Sequence, residues 1–296
     1  DNYTVIASSA ASDVYKRQEP WRLLFNKELR AEAARHPEIE LIVRDAMDSV
    51  PQQIADMEEL ISAGADAILI SPKVTEALTP PVSRAFAAGI PVFVLDRDVA
   101  NDRYIQYIGG DNRAIGRAAG CKAVGLLGGV GKAHGNVVEI WGGMASTPAN
   151  ERHEGFVEII EHEPGIKIIN PPRDGDWKQD LAYGIMAEAL DNLEQIDLVY
   201  AHNDPMAYGA YLAARDAGRA AGIMFLGIDG IPAEGVRWVR EGILDATFLY
   251  KTPGDEGIRQ ALRFLNGESV EKRLTLPTLT IDRTNAAEIL DRYGAR

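Results

Sequence analysis

Short apolar runs that close on polar residues and lead into helical patterns constrain this chain more than any other feature. Ala67–Ile70 runs into Ser71-Pro72, and Pro91–Leu95 into Asp96-Arg97-Asp98. Leu198–Ala201 runs into His202-Asn203-Asp204, and Met224–Ile228 into Asp229-Gly230. Runs this apolar suit strands buried on both faces of a parallel sheet. Helical periodicity follows over 76–88, 205–217 and 232–241. Alternating strands and helices of this length build βαβ units, so the expected class is α/β with parallel sheets. Polar residues collected at strand ends then share one edge, where open α/β sheets bind ligands.

Strands are expected near 3–8, 38–45, 66–71, 91–96, 105–109, 136–142, 166–170, 197–202, 223–228, 245–250 and 275–281. Helices are expected near 20–36, 51–63, 75–88, 112–127, 149–163, 178–193, 205–217, 232–242, 254–266 and 284–293. That is too many strands for one sheet of ordinary size, and 296 residues suit two lobes. The break falls at Ile108-Gly109-Gly110-Asp111-Asn112, where a strand ends in two glycines and a capped helix begins. The expected N-terminal lobe is residues 1–110, completed by 251–277. The expected C-terminal lobe is 111–250, completed by 278–296. The strand patterns around 250 and 277 read as returns between the lobes, and several crossings would make a hinged cleft.

The charge balance, 31 Lys and Arg against 44 Asp and Glu, gives −13. That argues against non-specific nucleic-acid binding, which needs a basic face, and against a polybasic membrane role. No apolar run approaches the ~20 residues that span a bilayer, and no signal peptide is visible at the N-terminus. The lone cysteine, Cys121, sits mid-helix beside Ala and Gly and is expected in the core. His36, His134, His153, His162 and His202 show no metal-ligand spacing, so no metal is expected. GxGxxG after the first strand, GxxxxGK[ST] and GxSxG are absent, and 125–131 follows a helix as a glycine-rich turn. No cofactor and no catalytic residue are expected. Asp96 and Asp229 belong to different lobes, so a glycosidase pair is the weaker reading.

What remains is a set suited to a neutral, hydroxyl-rich ligand. Asp accepts two hydrogen bonds, Arg donates a planar pair, and Asn does one of each. The candidates are Asp96 and Arg97, Arg152, Asn203 and Asp229, with Asn150 as a neighbour that N-capping explains equally well. Taken alone, Asp96-Arg97-Asp98 reads equally as a surface ion pair. Arg152 falls in the expected first turn of a helix, where a cation opposes the dipole. Asn203 and Asp204 are expected to divide ligand binding and helix capping between them. Trp21 and Trp177 each stand where a helix begins among charged neighbours, placed to stack on a sugar ring or to staple the helix. Trp141 and Trp238 fit packing positions better.

These residues resemble the type I periplasmic sugar-binding proteins, the family of the ribose- and galactose-binding proteins. The same fold serves as the effector domain of lactose-repressor-type transcription factors. Seven strings carry the likeness in order: EPWR at 19–22, ISP at 70–72, IPVxxLDR at 90–97, IGGDN at 108–112, STPxxxRHxGF at 146–156, YAHNDPMAxGA at 200–210 and GIDGxP at 227–232. The resemblance implies two Rossmann-like lobes joined by a three-crossover hinge. It implies a periplasmic or extracytoplasmic receptor, a monomer, that closes on one monosaccharide and serves an ABC-transporter permease. The family's hydroxyl-binding positions fall on Asp96, Arg97, Arg152, Asn203 and Asp229, and its stacking aromatics near Trp21 and Trp177. A last ligand position falls on Tyr250, where Tyr250-Lys251-Thr252-Pro253 departs from the Tyr-Pro-Thr-Gly-Gly pattern of many members. Residues 11–18 fit no family pattern and look like translated non-native sequence. The alternative role on this fold is the sensing domain of a repressor or a membrane kinase.

Overall fold

The computed structural model describes residues 3–9 and 20–294. The segment 11–18, read above as non-native, lies outside them. In chain order the elements are β1 (Tyr3–Ser9), α1 (Pro20–Ala33), β2 (Ile39–Asp45), α2 (Val50–Ala63), β3 (Ala67–Ser71), α3 (Thr75–Ala87), β4 (Val92–Leu95) and β5 (Gln106–Gly110). Then come α4 (Asn112–Leu126), β6 (His134–Ile140), α5 (Thr147–Ile160), β7 (Gly165–Ile168), α6 (Gln179–Asn192), β8 (Leu198–Ala201) and α7 (Asp204–Asp216). The chain ends with β9 (Met224–Leu226), α8 (Arg237–Glu241), β10 (Ala246–Phe248), α9 (Gly254–Leu265), β11 (Arg273–Leu276), β12 (Thr280–Asp282) and α10 (Ala286–Gly294).

Two compact units result. One holds residues 1–110, 145–147 and 251–276, and the other 111–144, 148–250 and 277–296. Each contains a six-stranded sheet, ordered β11-β5-β4-β3-β1-β2 and β12-β10-β9-β8-β6-β7. All pairings in the first sheet are parallel. In the second, only β12 runs antiparallel, against β10. Such doubly wound sheets bury both faces, which is why β3, β4 and β8 read as unbroken apolar runs. One face of the first sheet packs Ile6, Ile68, Ile70, Val92 and Val94 against Met57, Leu60, Leu78 and Val82 of α2 and α3. In the second, Val138, Ile140, Val199 and Phe225 pack with Met186, Ala210 and Ala214 of α6 and α7.

The single strand expected over 275–281 is two strands. β11 completes the first sheet and β12 the second. Pro277 lies between them; it lacks an N–H for the ladder and restricts Leu276 before it. Cys121 is exposed rather than in the core. The buried face of α4 is Ile115, Gly116, Ala119, Gly120, Ala123 and Val124, and position 121 falls off that stripe.

The α4–α5 crossing is close because glycines line it. A Cβ on Gly116 would meet the carbonyl of Arg152, and one on Gly155 the carbonyl of Arg113. Gly155→Ala therefore forces the helices apart, and we expect a stability loss of about 1–3 kcal/mol in thermal unfolding. Wild-type stability in that variant would mean the crossing relaxes at no cost.

Candidate functional site

In the first unit the polar group forms where β3 and β4 end. Their register pairs Ile70 with Val94, so Ser71 stands level with Leu95 at the carboxyl edge and Asp96 follows one residue on. Asp96 takes φ 66°, a left-handed conformation uncommon for a residue with a Cβ. Its N–H donates to the Ile108 carbonyl at 2.9 Å, and its carbonyl accepts from Tyr107 Oη at 2.7 Å. The carboxylate is buried. Its Oδ2 accepts from Arg22 Nη2 at 2.6 Å and from Ser71 Oγ at 3.2 Å, while Arg22 Nη1 donates to Ser71 Oγ at 2.6 Å. Arg97 Nε lies 3.7 Å from the same oxygen. Two buried guanidinium groups thus share one carboxylate. Trp21 is buried in the first turn of α1, stacked on Phe25 at 5.9 Å with the Arg22 guanidinium 5.0 Å from its ring. Asp96, Arg97 and Trp21 are therefore brought together, and Arg22 and Ser71 join them. Arg22 escaped the residue-by-residue reading, although it stands in the EPWR string next to Trp21.

In the second unit the centre is Arg152, 2% exposed. Because α5 begins at Thr147, Arg152 sits in its second turn rather than its first, and the helix dipole bears on it less. Nε donates to Asn112 Oδ1 at 2.9 Å, and Nη1 to the His202 carbonyl at 2.5 Å. The guanidinium carbon is 4.5 Å from the Tyr250 ring centre and 5.3 Å from that of Trp177. Among the described residues no carboxylate lies within ion-pair distance of it. A buried cation without an ionic partner is costly to keep.

Trp177 is buried with φ 64°, directly after Asp176 at φ 44°. The turn is pinned by Asp174, which accepts from the Asp176 and Met144 N–H groups at 2.7 and 3.1 Å. Gly142 has no room for a Cβ because the Trp177 indole lies against it. Asp229, also buried, has φ 133° and is held by backbone bonds of 3.0 Å to Phe248 and Tyr250. Strain of this kind persists only where the surroundings over-determine it, and it gathers at functional sites.

Asn203 is the N-cap of α7: its Oδ1 accepts from the Met206 N–H at 2.9 Å, and its Nδ2 donates to the Trp177 carbonyl at 3.0 Å. So capping falls to Asn203, not to Asp204, and the cap amide also braces the Trp177 turn. Asn150 is exposed and holds the Met144 carbonyl at 3.1 Å. Trp141 and Trp238 pack as expected, Trp238 stacked on Tyr208 at 4.3 Å.

Asp204 lies deeper, in a slot where a Cβ on Gly227 or Gly235 would strike its carboxyl. Burial pushes it up to about 6, although the Gly230 N–H donates to it at 2.9 Å. Burial, then the Asp204 charge, pushes Glu234 up to about 7. Acids raised in the folded state contribute stability that is complete below their unfolded pKa and is lost as pH rises through the folded value. Stability should fall between about pH 4 and 7 on this account. Glu234→Gln removes one of these losses, so its advantage over wild type should grow from near zero at pH 4.5 to about 1–2 kcal/mol at pH 8, allowing for its partial exposure. Melting curves of the two proteins that run parallel across this range would refute it.

The family described as periplasmic binding protein domain matches residues 13–269. Among curated proteins, the ribose import binding protein of Haemophilus influenzae is 30% identical over 236 residues, covering 79% of this chain and 78% of that protein. The galactofuranose-binding protein of Escherichia coli is 34% identical over 220 residues, covering 72% of this chain and 68% of that protein. Among solved structures, the fructose-binding periplasmic domain of a hybrid two-component system superposes with a TM-score of 0.93 at 35% identity, over 99% of this chain and 95% of that one.

Proposed function

The chain belongs to the periplasmic binding protein domain family, and from that premise we propose that it binds one monosaccharide through the two buried polar groups described above. It is a sugar-binding receptor of the kind that serves ABC importers, whose relatives bind sugars rather than transform them. In the proposed reading Asp96 and Arg97, with Arg22, address sugar hydroxyls from the first unit. Arg152, Asn203 and Asp229 do so from the second, and Trp21, Trp177 and Tyr250 offer ring faces. Asn150 takes an outer place. The protein acts outside the cytoplasm, as a monomer, and hands the sugar to a membrane permease.

The observation that carries this reading is Arg152. Its guanidinium is buried and fixed by Asn112, the His202 carbonyl and two aromatic rings, yet it has no carboxylate partner among the described residues. A hydroxyl-rich neutral molecule suits such a cation: each hydroxyl can accept from it without adding charge. The relatives named above are labelled for ribose, galactofuranose and fructose, all sugars with furanose forms.

A thermal-shift panel of pentoses, furanose-forming hexoses, pyranose-locked glycosides, polyols and sugar acids tests the proposal. A sugar at 100 times its Kd stabilises by about 2.7 kcal/mol. The expected result is a saturable rise in melting temperature with a furanose-forming monosaccharide and none with the locked pyranosides. A flat response across the panel from cooperatively melting protein would count against it.

One observation supports a second role. The superposed fructose-binding domain belongs to a two-component system, so the same site could report a sugar to a kinase. A reading frame that continues past Arg296 into a membrane-spanning helix and a kinase would select that role.

A further inference from the structure

Behind Arg152 lies a buried acid–histidine cluster that none of the proposed sugar contacts uses. Glu139, near the end of β6, is 2% exposed. His202 Nε2 lies 3.0 Å from its Oε1, and His153 Nδ1 lies 2.9 Å from its Oε2. The backbone of Glu139 is itself fixed: its N–H donates to Asn170 Oδ1, and its carbonyl accepts from Asn170 Nδ2, both at 2.8 Å. The two histidines are the chain neighbours of two proposed ligand residues. His153 follows Arg152 on α5, and His202 precedes Asn203 at the end of β8. The His202 carbonyl is also the acceptor for Arg152 Nη1. Trp141 packs over both imidazoles, at 4.3 Å from His153 and 5.4 Å from His202.

We infer that Glu139, through His202 and His153, is a positioning residue that sets the Arg152 guanidinium and the Asn203 amide relative to each other. One carboxylate fastens the start of α5 to the β8–α7 junction, and those are the two segments that carry Arg152 and Asn203. The inference rests on the proposed role of Arg152 in sugar binding.

The protonation states agree with this geometry. Burial alone would raise Glu139, but the hydrogen bonds from His153 and His202 outweigh it and hold the carboxyl below its usual range. Burial holds His202 below the ordinary histidine value, against the opposing pull of Glu139 and with Arg152 and His153 acting in the same direction as burial. The groups facing His202 are therefore Glu139 from β6, Arg152 and His153 from α5, and the Tyr200 ring beside it on β8. The geometry favours a neutral His202 with its proton on Nε2 toward Glu139, since Nδ1 is buried with no hydrogen-bond partner among the described residues. A second proton would set a further cation beside Arg152.

The test measures sugar affinity by calorimetry from pH 8 to pH 5, using the best sugar from the panel. Wild type should lose affinity toward the acid end. Glu139→Gln should bind about tenfold more weakly at pH 7.5, because one charge-assisted hydrogen bond is lost on each histidine. His202→Gln keeps an amide N–H for Glu139 but cannot take up a proton. It should stay within about threefold of wild type at pH 7.5 and lose the acid decline. A double variant no weaker than Glu139→Gln alone would show that the two act as one unit. Arg152→Met separates the two levels of the account. If it binds like wild type, the reading of the site fails. If it loses binding while Glu139→Gln and His202→Gln both keep the wild-type affinity and pH profile, the inference is overturned.

Discussion

Arg152→Met should lose sugar binding by about a hundredfold or more while leaving the sugar-free protein nearly as stable as wild type. The binding loss follows from removing a planar donor whose hydrogen bonds to a neutral ligand are charge-assisted, about 1.5–3 kcal/mol each. The stability result follows from the surroundings. Arg152 makes no ion pair among the described residues, so its removal breaks none, although Asp204 loses a charge that holds it lower. It does leave Asn112 Oδ1 and the His202 carbonyl without their donor, at about 1–3 kcal/mol each. Against that, an apolar side chain of similar length relieves the cost of burying an unpaired cation. The two effects oppose each other, and the net change in sugar-free stability should be within about 1 kcal/mol. Chemical denaturation and calorimetry on the same preparation check both halves. A large stability loss with retained binding would identify Arg152 as a structural residue.

Asp96→Ala should behave differently, losing binding and stability together. The Asp96 carboxylate neutralises Arg22, and both side chains are about 95% buried, with 5% and 4% exposed. Removing one partner of such a buried pair costs about 3–5 kcal/mol, because the guanidinium loses this carboxylate where water cannot replace it. Ser71 loses its acceptor as well, and Arg97 loses the carboxylate 3.7 Å from its Nε. Binding should fall by about a hundredfold or more, since an acceptor for sugar hydroxyls disappears and the two arginines lose the charge that orders them. Asp96→Asn should recover part of the stability, as its amide oxygen still accepts from Arg22, but little of the binding. A sugar affinity near wild type in Asp96→Ala would remove this residue from the site.

Strand ends were legible because the physics there is local. An apolar run buried on both faces stops at the first polar residue, which is Asp96, His202 or Asp229, with Asn203 one place further on. Ser71 was less legible: the parallel register sets it level with Leu95, and the left-handed turn at Asp96 brings the carboxylate to its hydroxyl. Arg152 was legible as an anomaly, though for a reason that shifted. The helix starts earlier than Pro148 suggests, and the cost lies in burial rather than in the dipole. Other features carry no local signature. Glu139 and His202 lie 63 positions apart and meet only because β6 and β8 are paired. That Asn203 caps α7 while Asp204 turns inward depends on Gly227 and Gly235 leaving a slot for the acid, which no periodicity encodes. β11 and β12, which together span 273–282, look like one run in the sequence, since both are short and Pro277 marks the break.

Titration calorimetry with the best-binding sugar, followed by NMR of the recovered sugar, tests the central claim most directly. The account predicts one sugar bound per chain, in a single transition, returned chemically unchanged, with that transition abolished by Arg152→Met and by Asp96→Ala alike. Two independent binding transitions, one lost in each variant, or a sugar recovered as a different compound, would contradict it.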